Sequence, residues 1–148
     1  MSLKLWLENG WLKEHKPTSR EIAELLAVAD RALKDCQIPE LSSEGKLNMA
    51  HSAALQSSAA ALAAAGYKSS REAYHYYVIE SLSFTLQLEG RVIRRLHKLR
   101  RKRNISDYER PGTVTEQEAQ EMVELAKLIR QQVEEWIRSN HKELAKEI

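Results

Sequence analysis

Ser or Thr stands three residues ahead of Glu, just before a run of helix-forming residues, at Thr18-Ser-Arg-Glu21, Ser69-Ser-Arg-Glu72 and Thr115-Glu-Gln-Glu118. In such a capping box the hydroxyl accepts a bond from the amide three residues on, and the carboxylate reaches back to the cap amide. Each box therefore starts a helix. The residues that follow are mostly Ala, Leu, Glu, Lys and Arg, which lose little on entering a helix. Gly and Pro are scarce, and β-branched residues never alternate over a long stretch. Few chains of this kind can fold as anything but packed helices.

The apolar spacing divides the chain. Residues 2–13 read as a short helix with Leu3, Trp6, Leu7 and Trp11 on one side, weakened by Gly10. After Pro17, a helix over about 19–36 carries Ile22, Leu25, Leu26, Ala29 and Leu33 at helical spacing. Pro39 disfavours helix at Ile38, so 37–41 is a linker. Ser42 or Ser43 caps an alanine-rich helix to about Ala65, with Leu47, His51, Leu55, Ser58 and Leu62 along one face and Gly66 as its stop. The spacing then predicts a helix over 70–88 with Tyr74, Tyr77, Val78, Ser81, Leu82 and Thr85 on one side. Gly90 marks a break before a basic helix over about 91–104. Pro111-Gly112 is a turn, and a long last helix faces inward through Met122, Ala126, Ile129, Val133 and Trp136/Ile137.

The 148 residues suit one unit, with residues 1–41 as a helical extension packed on a bundle over 42–148. A domain of this size buries roughly 68–70% of its unfolded surface and needs no metal or disulfide to hold a core. The single cysteine, Cys36, allows no internal disulfide; it fits a reducing cytoplasm and a buried structural role. The mixed opening residues predict no signal peptide, and no apolar run is long enough for a bilayer, so no membrane partner is expected. His15, His51, His75, His97 and His141 lack metal-ligand spacing, and Gly-rich phosphate loops are missing; neither metal nor cofactor is expected. His51, at i±4 from Leu47 and Leu55, reads as a core or interface histidine. The run Tyr74-His75-Tyr76-Tyr77 can stack bases, or form core with a polar edge.

Charge is the sharper signal. The net charge is only +2, yet residues 91–110 hold nine Lys/Arg against Asp107 and Glu109, a local net of +7 that leaves −5 elsewhere. Arg95, Lys98, Arg100, Arg101 and Lys102 are the candidate nucleic-acid contacts. On the apolar line Val92, Leu96, Leu99 the next position is Arg103. A guanidinium there needs carboxylate, carbonyl or phosphate partners.

The stretch Arg103-Asn104-Ile105-Ser106-Asp107-Tyr108 resembles the signature of HEPN-domain proteins (the higher eukaryote and prokaryote nucleotide-binding family), in its Arg-Asn-x-x-Asp-Tyr variant. Ala50-His-Ser-Ala-Ala-Leu55 with Ala63-Ala-Ala-Gly-Tyr67 resembles that family's first core helix and its exit. His75-Tyr-Tyr-Val-Ile79 resembles the start of its second. The resemblance covers residues 42 to about 140 and implies an all-α, up-and-down helical bundle, with two additional N-terminal helices here. It also implies a homodimer whose paired Arg motifs meet in a cleft, binding RNA or a nucleotide. Relatives include metal-independent ribonucleases, and toxins paired with a small nucleotidyltransferase. By position, Arg103 would hold the scissile phosphate, Asn104 would orient the site, and Tyr108 stands where the general acid/base His is found. At a pKa near 10, roughly one phenol in a thousand is ionised at neutral pH, so Tyr108 is a poor base.

Three functions follow as expectations. The first is a nucleic-acid or nucleotide-binding module of a toxin–antitoxin or defence system. The second is a metal-independent ribonuclease toxin using Arg103, Asn104 and Tyr108. The third is a non-catalytic adaptor whose basic helix docks an acidic protein.

Overall fold

A computed structural model describes residues 2–70, 74–108 and 113–148, with the side chains of 103–108 outside that description. Helices dominate the described residues and strands are few and short, so the fold is all-α. The order is α1 (Leu3–Glu8), β1 (Leu12–Glu14), α2 (Ser19–Asp35), α3 (Ser43–Ala64), β2 (Tyr67–Ser69), α4 (Tyr74–Glu80), α5 (Leu82–Thr85), α6 (Gly90–Tyr108), α7 (Glu116–Asn140) and a closing 3₁₀ turn (Lys142–Ala145).

α3 is the axis of the bundle. Its small side chains let α2 and α7 approach from two sides, and Leu47, Ala50, Ala53, Ala54, Ala60, Ala61 and Leu62 are all buried. Ser57 and Ser58, also buried, donate to the carbonyls of Ala53 (2.8 Å) and Ala54 (2.7 Å), so neither hydroxyl is stranded in the core. α2 contributes Ile22, Leu26, Ala29 and Ala32, and α7 contributes Met122, Val123, Ala126, Ile129, Val133 and Ile137. The caps at Thr18, Ser42 and Thr115 are formed, and at Thr115 both arms of the capping box are closed. Gly66 takes a φ of +99° just beyond α3, a conformation costly for any residue with a Cβ.

Four boundaries differ from the sequence reading. The first helix stops at Glu8 rather than near 13, because Gly10 (φ +79°) turns the chain and does more than weaken the helix. Residues 12–14 then pair antiparallel with 67–69 in a short ribbon, Lys13 opposite Lys68. Ser69 lies in that ribbon and its hydroxyl donates to the Ser70 carbonyl at 2.9 Å, while the other end of its expected capping box falls on residues 71–73, outside the described residues. The single helix expected over 70–88 is two, α4 and α5. They part at Ser81, whose buried hydroxyl donates to the Val78 carbonyl (2.6 Å). Finally, the basic helix runs on to Tyr108 instead of ending near Asn104, and Ile93 rather than Val92 is its first buried residue.

Aromatic rings tie the N-terminal segment down. Trp6 meets Tyr77 and Phe84 edge-on at centroid distances of 5.3 and 5.0 Å, and Trp11 stacks on Tyr77 at 5.2 Å. Cys36 is buried with its thiol donating to the Leu33 carbonyl (3.0 Å), and burial pushes that thiol's pKa up, which suits an inert structural cysteine.

Candidate nucleic-acid interface

α6 is built from good helix formers, and Ile93, Leu96 and Leu99 plant it against the bundle. Its basic residues then fall into distinct arcs. At about 100° per residue, Arg94, Lys98 and Arg101 lie at i, i+4 and i+7 within roughly 60° of one another. All three are exposed, and none forms an ion pair among the described residues. Arg94 folds back over the start of the helix. A Cβ on Gly90 would stand 3.1 Å from its Nη1.

On the arc facing α7 the charges are already matched. The Arg95 guanidinium forks onto the Glu121 carboxylate through Nε and Nη2. That bond holds the Glu121 carboxyl below the usual carboxylate range. Lys102 lies 3.6 Å from Glu118 and donates to the Thr113 carbonyl at 3.3 Å. Glu118 is itself held in the capping box, and the bond from the Thr115 amide lowers its pKa first. Arg91 pairs with Glu89 at 2.7 Å in open solvent, a contact of small weight.

The third arc meets α4. His97, 8% exposed, reaches the Glu80 carboxylate through Nε2 at 3.0 Å, so Nε2 carries the hydrogen. Tyr76 stacks on the His97 ring, with centroids 5.0 Å apart and an interplanar angle of 23°. Burial, and then the Glu80 carboxylate, raise the Tyr76 phenol above its ordinary pKa, so it stays protonated. Deeper in, His51 of α3 is buried with its ring 5.7 Å from that of His75, which brings together two histidines far apart in the sequence.

The candidates read from the sequence therefore separate. Lys98 and Arg101 stand on the open stripe, Arg95 and Lys102 are committed to α7, and Arg100 is half-buried. The side chains of Arg103, Asn104 and Tyr108 lie outside the described residues; along the helical backbone their positions 103 and 108 are five residues, roughly 140°, apart. Arg94 and His97 were missing from the sequence-based site, and Tyr76 entered it only as part of the aromatic run 74–77 that can stack bases. The i, i+4, i+7 spacing of Arg94, Lys98 and Arg101 was a signal for the first. Nothing in the sequence joins Tyr76 to His97. Among the described residues no group of three or more His, Cys, Asp or Glu could hold a metal ion, and no helix is long and apolar enough to cross a membrane. Compared with known protein families, with curated proteins and with solved structures, the chain matches none of them.

Proposed function

We propose that this chain is a HEPN-like module that binds RNA or nucleotides through their phosphates, as part of a toxin–antitoxin or defence system. The observation that supports it is the stripe Arg94, Lys98, Arg101, three exposed cations that form no ion pair among the described residues, although the Lys98 charge helps hold the Glu121 carboxyl low. The same helix shows what a satisfied cation looks like in Arg95, so the open stripe is not for want of acids nearby. At 1.5 Å per residue the stripe spans about 10 Å, the axial length of roughly three phosphates along one strand. Counterion release makes such binding steeply salt-dependent.

The test is anisotropy titration of a labelled RNA at a series of salt concentrations. Replacing Arg94, Lys98 and Arg101 together with Gln is expected to lower the slope of log K against log salt by about 2 to 3, at 0.7–0.9 per phosphate contact. An unchanged slope and affinity would remove the stripe from the site. Cleavage of RNA in the presence of a chelator would instead favour the ribonuclease alternative, and Tyr108→Phe then asks whether the phenol takes part.

A further inference from the structure

The stripe accounts for phosphate but not for what is attached to it. Beside it sits an aromatic surface with an unusual setting. Tyr76 keeps 42% of its surface in solvent although His97 covers one of its faces. Tyr77 meets it edge-on at 5.2 Å. His97 and Tyr77 thus take only part of the ring, and a large share of the side chain stays open to solvent. Isolated exposed aromatics are ordinary on protein surfaces. This one is different because of its neighbours. His97, on which it lies, is three residues after Arg94 and four before Arg101, the two spacings that make neighbours on a helix surface. On the helix surface His97 therefore neighbours Arg94 and Arg101, and Tyr76 lies on that His97 ring, which the Glu80 bond holds in place.

We infer that Tyr76 is a stacking platform for an unpaired nucleobase, so that the ligand is a single-stranded nucleic acid with its phosphates on Arg94 and Arg101. This rests on the phosphate-binding reading and narrows it. A flat ring bordered by cations is the arrangement that holds single strands without regard to sequence. A duplex cannot use it, because its base faces are covered by their own neighbours. The platform is set before binding, since the His97 ring beneath Tyr76 limits its rotation, so little order is lost when a base lands. The acid beside the ring is Glu80, whose carboxylate engages both His97 Nε2 and the Tyr76 hydroxyl.

The experiment compares a short labelled oligoadenylate with an abasic oligonucleotide of equal length and charge, both titrated at low salt. The wild-type protein is expected to bind oligoadenylate roughly 5- to 150-fold more tightly, the range for stacking one base. Tyr76→Ala should bring the two ligands together, while Tyr76→Phe keeps the preference. The triple Gln variant of the stripe should weaken both ligands by a similar factor. A Tyr76→Ala protein, folded by its melting curve, that still prefers oligoadenylate as wild type does would overturn the platform and leave the phosphate reading standing. Equal wild-type affinity for the two ligands would do the same. If the triple variant binds both as tightly as wild type, or polyglutamate displaces RNA at matched charge, the phosphate reading fails and the platform fails with it.

Discussion

α3 and α6 are both long helices of this bundle, and they could hardly be more different. α3 is buried nearly all round by small residues, and even its Ser57 and Ser58 hydroxyls turn back onto its own carbonyls. α6 has one apolar arc, one arc of matched ion pairs against α7, and one arc of cations that form no ion pair among the described residues. A helix enclosed on every side is read by volume alone, whereas a helix with an unmatched face is read by what that face lacks. In this molecule the structural information is concentrated in α3 and the functional information in α6. Substitutions should separate the two cleanly.

The largest effect is expected in α3. Leu62→Ala, at a buried leucine, should cost about 2–5 kcal/mol. With roughly 2–4 °C per kcal/mol for a chain near this size, the melting temperature should fall by on the order of 10 °C. RNA affinity per folded molecule should not change. A melting temperature within a degree or so of wild type would mean the α3 packing is wrongly drawn. Next in size is Ala61→Leu. Its methyl is fully enclosed, and forcing a larger side chain between α3 and its neighbours should cost about 1–3 kcal/mol. Thermal melts that leave it as stable as wild type would show spare room in the axis helix.

The stripe should behave in the opposite way. Exchanging Arg94, Lys98 and Arg101 for Gln touches only exposed side chains, so stability should stay within about 0.5 kcal/mol for each. The salt dependence of RNA binding should fall instead. A variant that melts several degrees lower with unchanged binding would reverse the assignment of the two helices.

How much of this could be read from the chain depends on how local each feature is. Thr18, Ser42 and Thr115 act on amides three residues away, and their caps were legible. So was the buried face of α7, where Met122, Ala126, Ile129, Val133 and Ile137 recur at helical spacing. The β1–β2 ribbon was not, since two three-residue strands far apart in the chain are too short for alternation to show. Neither was the break at Ser81, which no Gly or Pro marks. The basic run was visible as a run, but its partition was hidden. Glu118 and Glu121, which neutralise Lys102 and Arg95, belong to another helix, and only the fold decides which cations they meet.

That partition gives the smallest and most specific expectation. In the wild type, the Arg95 guanidinium lowers the pKa of Glu121 in the folded state. A carboxyl that titrates lower when folded contributes stability that is complete above its unfolded pKa. That contribution disappears as pH falls through the folded value, once both states are protonated. Both side chains are about a third exposed, so solvent screens the pair, and its worth at neutral pH should be no more than about 1 kcal/mol. Glu121→Gln keeps the shape and removes the titration. Melting curves for the two proteins should therefore differ by a few degrees near pH 7 and converge in acid, once the pH has fallen below the lowered folded value of the Glu121 carboxyl. A gap that stayed constant down to acid pH would assign the effect to packing rather than charge. The same variant should leave Arg95 without its counter-charge beside the stripe. RNA affinity should then rise at low salt, with the salt slope steeper by up to about 0.9 if the freed guanidinium reaches a phosphate. Weaker RNA binding by Glu121→Gln would mean that the Arg95–Glu121 fork positions α6 for its ligand, and the matched and unmatched arcs would no longer be separable.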